Sequence, residues 1–449
     1  MSKCAPRRWP GGLAAVLLAL LLPLPAAAQS RPSRVVLRNG ITVIIKEVHS
    51  SHVLAVNVFI RGGASLDPAD LPGLANFTHQ VMARGTIRRT GEQLSAPIEA
   101  VGGTLQARTE QEYSLFLSLS PADALDTVLD VLADLLLHPR FDAAEVEKER
   151  TELLQALAVL DEDPVWVVQR SLSERLYPMG PYGRAVPGSV DSVKRITRQQ
   201  MIDFYRRHYG AENVVVVVVG NVDTEPTLRG VERAFAEARP SGRSAFRPTP
   251  VPYTPPAVPV VVKERGTQLA HLAVGFPMAG ISREEYPVAM VMNALLGGGM
   301  GCRLRQALRE RYDVGSFYAP YAGASYLGAY LRTPPIQLVG PGGAFGTEMV
   351  VEKEKTALLD QFEWLARNPI PEKEVSRARN FAIGAFTREH QRTLNQARYL
   401  GSFELAGLGC QYDDELPQAM AKVTADDLGR LARKYFTRYA LALVMPRPE

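Results

Sequence analysis

The chain has 449 residues, 46% hydrophobic and 22% charged. At roughly 100 to 200 residues per domain that allows two large domains or three small ones, and it excludes a disordered chain, a collagen-like fibre and a polytopic membrane protein. The formal charge is +4, but Lys3, Arg7 and Arg8 lie in a segment expected to be removed, and the remaining 48 basic and 47 acidic residues give no general reason to bind nucleic acid or acidic lipid.

Residues 1–28 have the layout of a secretory signal peptide. A basic start is followed by an apolar run over 13–24, then by Ala26, Ala27 and Ala28, with cleavage expected after Ala28. The run is well short of the ~20 residues a membrane anchor needs. The chain is therefore expected to be exported by a bacterium to the periplasm or beyond. Only Cys302 and Cys410 remain after cleavage. An oxidising compartment permits a bridge between them, but buried thiols are the default expectation.

In chain order, strands are predicted over 35–37, 41–45 and 53–60, with Asn39-Gly40 as a tight turn. A helix is predicted over 71–84, then strands over 104–108 and 113–119. Helices follow over 121–137, 143–160 and 197–209, and an all-valine strand over 214–219. Residues 239–259 hold seven prolines without periodicity, as an extended linker would. They separate a domain over 29–238 from one over 260–449. The second half repeats the order: strands over 258–263 and 269–276, a helix over 286–296, and strands over 314–322 and 329–333. Helices are predicted over 346–368, 372–404 and 424–435, and a last strand over 440–444. Two α+β units in the same order imply an internal duplication.

Residues 73–86 read GLANFTHQVMARGT. This resembles the inverted zinc signature of the insulinase-like (M16) metallopeptidases, G-x-A-H-F-x-E-H-x-x-x-x-G-T, matching at Gly73, Ala75, Phe77, Gly85 and Thr86. Gly102, Gly103, Gln106 and Ala107 resemble the family's G-G-x-x-N-A strand. Glu149-Arg150, the Pro181-Tyr182-Gly183 and Pro187-Gly188 pair, Tyr209, Asn213 and 219–223 (VGNVD) match further family positions. So do 296–300 (LGGGM) and 308–310 (LRE). The resemblance spans 33–445. It implies two homologous sheet-and-helix domains forming half of a clamshell, an M16-type (LuxS/MPP-like) fold.

The active-site letters depart from that pattern. The two zinc-ligating His positions are Asn76 and Gln80, the general-base Glu position is His79, and the third ligand position, seven after Glu149, is Ala156. Neutral amides are poor zinc ligands, alanine is none, and one imidazole cannot build a site needing three. No metal is therefore expected in this chain, and zinc only in a partner. His79 is expected to be a polar histidine lining the former cleft, and Glu145, Glu149 and Glu152 a solvated helix face. The family also uses an Arg and a Tyr seven apart to hold the substrate carbonyl. Arg309 occupies the Arg position, but Ser316 stands seven on and Tyr318 two later, while Arg311 keeps the spacing to Tyr318. Either Arg309 and Tyr318 still act as a pair, or the aromatics there only pack across a sheet. Gly297, Gly298 and Gly299 are expected to form a bend between helices, not a phosphate loop.

The resemblance implies a catalytically incomplete subunit. It would pair with a zinc-bearing paralogue, or with itself, around a peptide added as a strand beside 102–107. The alternatives are a non-proteolytic structural subunit of an envelope assembly, and an active zinc peptidase with a rearranged site.

Overall fold

The computed structural model describes residues 31–252, 260–308, 313–334 and 348–446. The segment expected to be a signal peptide, residues 253–259 and Arg309 lie outside the described residues. The first sheet contains β1 (Ser33–Val36), β2 (Thr42–Glu47), β3 (Val53–Arg61), β4 (Thr104–Thr109), β5 (Tyr113–Pro121) and β6 (Val214–Gly220), in the order β1-β2-β6-β3-β5-β4. The second contains β7 (Val260–Arg265), β8 (Ala270–Ala279), β9 (Asp313–Ala319), β10 (Ala324–Thr333) and β11 (Ala440–Pro446), in the order β7-β11-β8-β10-β9.

The two sheets share one topology. In each, the final strand runs parallel to the first strand of the core, β6 to β2 and β11 to β7. It runs antiparallel to the next, β3 or β8. The duplication suggested by sequence is thus present in the strand order. The valines of β6 are buried on both faces, which explains a continuous apolar run where a surface strand would alternate.

Helices α1 (Leu74–Met82), α2 (Gly91–Ala100), α3 (Leu125–Leu137), α4 (Ala143–Glu162), α5 (Pro164–Leu176), α6 (Val190–Arg195), α7 (Arg198–His208) and α8 (Thr224–Ala234) belong to the first half. Helices α9 (Glu285–Gly297), α10 (Arg303–Ala307), α11 (Glu348–Arg367), α12 (Glu372–Glu389), α13 (Thr393–Leu405), α14 (Tyr412–Ala421) and α15 (Ala425–Tyr435) belong to the second. Six of them, α2, α5, α6, α8, α10 and α14, lie outside the predicted ranges. Local signals were present in three cases: a Thr90–Gln93 capping box opens α2, Asp163 caps α5 ahead of Pro164, and a Ser189–Ser192 capping box opens α6. The single helix predicted over 372–404 is two. His390, at the break, bonds Asp413 at 2.7 Å and stacks on Tyr399 with ring centroids 4.6 Å apart. That tertiary anchor turns the chain where no Gly or Pro does.

Each sheet has one face on its own helices and one on a helix of the other half. Leu400 and Ala397 of α13 pack on Ala55, Phe59, Leu117 and Val217 of the first sheet. Reciprocally, Val168, Leu172 and Leu176 of α5 pack on Ala273, Ala440 and Ala442 of the second. Burying each large side chain is worth about 1.5–3 kcal/mol, so the exchange couples the halves strongly. Polar contacts add to it. Arg34 bonds Glu404 at 2.8 Å, and the buried Lys46 ammonium lies 3.5 Å from Asp413. Cys302 and Cys410 are buried free thiols. Among the described residues no helix is long and apolar enough to cross a membrane.

Candidate functional site

The site is built around α1. Asp67 sits ahead of the helix and accepts the amides of Gly73 and Ala75, both at 2.7 Å, satisfying donors that a helix start leaves open. Burial pushes its carboxyl up to about 7 despite those bonds. Gly73 has φ 93°, and a Cβ there would stand 2.8 Å from the Gly188 Cα. The Pro187-Gly188 loop thus presses directly on the first turn of α1, which both glycines permit.

Helical geometry then decides which α1 side chains face inward. Ala75, His79 and Met82 fall on the core face and are 0% exposed. The His79 ring stacks on Phe116 of β5 with centroids 3.9 Å apart. Its Nδ1 lies 3.2 Å from the Tyr209 hydroxyl. Desolvation pushes its pKa down to about 4, so the imidazole is neutral at ordinary pH. The expectation that His79 lines the former cleft is corrected: it is a core residue, 0% exposed and stacked on Phe116 of β5.

Asn76 and Gln80 share the adjoining face of the helix. Asn76 is 8% exposed. Gln80 is half-buried, and its Nε2 donates to the Ala107 carbonyl at 3.2 Å. Ala156 lies exposed on α4. The four zinc-pattern positions thus offer one imidazole, and its Nδ1 is engaged by Tyr209. Among the described residues no group of three His, Cys, Asp or Glu side chains is placed to hold a metal ion. These residues do not fit a three-ligand zinc centre.

The glutamates nearby also differ from expectation. Glu149 is 7% exposed and receives Arg84 Nε at 2.5 Å, so it ties the end of α1 to α4. Glu152, which also meets Arg84, is exposed. A solvated face therefore describes Glu152 but not Glu149. No spacing pattern reports this contact, because Arg84 and Glu149 are 65 residues apart.

Strand β4 is the outer edge of its sheet. Gly102 precedes it with φ 78°. Gly103 packs so tightly that a Cβ would meet Ser120 Oγ at 2.3 Å. The Gln106 side chain is exposed and accepts Arg108 Nη2 at 2.9 Å. Ala107 is half-buried against α1. An unpaired strand edge of this kind can accept a further extended peptide.

In the second half, Tyr318 on β9 is half-buried beside Tyr286, with ring centroids 6.0 Å apart. Burial pushes its phenol well above the usual range. Ser316, at the position where a tyrosine was expected, donates instead to the Asn293 carbonyl at 2.8 Å. The glycines at 297–299 do form a bend, between α9 and α10.

Comparison with known proteins agrees with this architecture. Residues 42–189 match the family described as insulinase (peptidase family M16), and residues 195–381 match the peptidase M16 inactive domain. An uncharacterized zinc protease of Bacillus subtilis is 25% identical over 410 residues, covering 91% of this chain and 97% of that protein. One of Streptomyces coelicolor is 27% identical, covering 90% and 87%. Among solved structures, a protease from Helicobacter pylori superposes with a TM-score of 0.82 at 19% identity, covering 93% of this chain and all of that one. A peptidase M16 inactive domain from Pseudomonas fluorescens superposes with a TM-score of 0.80 at 20% identity, covering 93% and 98%.

Proposed function

The chain belongs to the insulinase-like M16 peptidase family, and we propose that it is a catalytically incomplete member, exported and paired with a zinc-bearing paralogue to form a peptide-processing chamber. One observation carries this reading. The residues at the zinc-pattern positions are used for packing: His79 is enclosed by Phe116 and Tyr209, and Gln80 is bonded to β4. Neither a metal-binding triad nor a general base remains at α1.

On this reading the chain binds and orients peptide while hydrolysis occurs on the partner's side. The edge of β4 offers backbone donors and acceptors to an extended segment, and the exposed side chain of Gln106 gives it a polar border. The Gln80 bond to Ala107 occupies one edge carbonyl, so an arriving strand displaces that amide or pairs on either side of it. Arg309 and Tyr318 would supply donors to the substrate carbonyl from the second half.

The test is co-purification of the exported chain with a zinc-bearing paralogue, followed by peptidase assays of the pair. Cleavage that persists unchanged when this chain is deleted sinks the proposal. A purely structural role in an envelope assembly is the second reading, favoured by the reuse of His79 and Gln80 as packing residues. Combined Arg309→Ala and Tyr318→Phe substitution separates the two, since the structural role leaves partner-dependent cleavage unaffected.

A further inference from the structure

A second concavity lies where the two halves meet. It encloses about 420 Å³ and is lined by Arg61 at the end of β3, Tyr113 at the start of β5, Tyr286 of α9, and Arg398 and Tyr399 of α13. That size suits a small ligand or a peptide end, in the usual range of about 300–1,000 Å³.

Its two arginines and two glutamates are not paired with one another. Arg61 is half-buried, donates to the Leu405 carbonyl at 3.2 Å, and has its pKa lowered chiefly by desolvation. Among the described residues no carboxylate oxygen lies within 4.0 Å of Arg61 or of Arg398. A desolvated guanidinium without a counter-ion is costly, and proteins ordinarily pair it. Two acids also line the cleft. Glu112 is taken up by three donors: the Tyr182 hydroxyl at 2.6 Å and the amides of Ala322 and Gly323 at 2.9 Å. Among the described residues Glu110 makes no ion pair, and Arg398 and Arg108 act on it from a distance. Arg61, Arg398 and Glu110 thus line one cleft with no ion pair among them, Arg61 held by the Leu405 carbonyl and Arg398 lying over the Tyr399 ring at 5.6 Å.

A further group narrows the ligand. Asn293 lines the same cleft, and its buried Oδ1 has no hydrogen-bond partner among the described residues. A buried acceptor without a donor marks a place where an N–H belongs. An occupant therefore needs an anionic head, an adjoining N–H and an apolar or aromatic body to lie along the tyrosine wall.

We propose that this cleft binds the free C-terminal end of a short peptide whose last residue is apolar or aromatic. Arg61 and Arg398 take the carboxylate, in the fork geometry guanidinium groups favour. Asn293 accepts the last amide N–H, and Tyr113, Tyr286 and Tyr399 hold the side chain. The site does not depend on the partner or on β4, so its failure and that of the chamber reading are distinguishable.

The experiment is calorimetric titration of the purified mature chain with N-acetyl-Leu-Phe, as the free acid and as the C-terminal amide. The acid is expected to bind saturably at one site and the amide about tenfold more weakly. Arg398→Gln, at an exposed position, is expected to weaken the acid by about tenfold, with the thermal midpoint unchanged. Equal affinity for acid and amide overturns the proposal, as does the absence of saturable binding by either at millimolar concentration.

Discussion

The carboxylate of Glu112 accepts the backbone amide of Gly323 at 2.9 Å, so a turn of the first sheet grips a turn of the second. The neighbouring Ala322 amide binds the same carboxylate. Tyr182, from the Pro-Tyr-Gly segment, completes the set and stacks on Tyr321 with centroids 5.3 Å apart. A motif that sequence comparison marks by its letters is therefore a clasp between halves.

Glu112→Gln should loosen that clasp. A glutamine has one acceptor oxygen, and its NH₂ would face a backbone N–H that needs an acceptor. The expected loss is about 1.5–3 kcal/mol, the range for hydrogen bonds to a charged group. A urea midpoint equal to that of the parent protein would remove the clasp from the account.

Gly401→Ala tests the exchanged helices. A Cβ at Gly401 would stand 2.2 Å from the Phe59 ring. Overpacking of about 1–3 kcal/mol should exceed the ~1 kcal/mol that alanine adds to a helix. The variant is expected to unfold earlier on heating, and adding Phe59→Leu should recover part of the loss through coupling.

Acid should act on His79. Its pKa is lowered from 6.5 to about 4 in the folded chain, so the unfolded state binds the proton more tightly. The stability from this group is complete above about pH 6.5 and is lost as pH falls toward about 4. The full difference is about 3 kcal/mol. In His79→Phe, denaturation curves between pH 6.5 and 4 should show a smaller fall than in the parent; an identical fall would place the titration elsewhere.

Metal content gives the most direct check on α1. After incubation with zinc and desalting, the parent chain should retain well under one metal per molecule by elemental analysis. Asn76→His combined with Gln80→His should retain more, because positions four apart share a helix face and add two imidazoles there. A stoichiometric metal in the parent chain would restore the active-peptidase alternative.

Much of the fold was legible beforehand because it is written in local periodicity. The alternating strands, the buried valines of β6 and the repeated order of elements needed only neighbours along the chain. Helices α2 and α5 were missed although their caps are local; the other misses named here come from contacts between distant segments. The helix predicted over 372–404 breaks at His390, whose partner Asp413 is 23 residues away. Glu149 has the spacing of a surface residue, and only the fold brings Arg84, just past α1, to its carboxylate. The clasp of Glu112 and the cleft around Arg61 join residues more than 200 positions apart, and no spacing rule reports such a meeting.

The amino-acid letters alone established that the zinc pattern is missing its ligands, since an amide or a methyl group lacks the donor wherever the helix turns. They did not determine what took the pattern's place. An amphipathic stretch such as α5 or α13 shows the same stripe whichever sheet it covers, and a histidine shows the same spacing whether it faces water or Phe116. Those choices depend on contacts between distant segments, whose burial energies add up only once both halves are folded together.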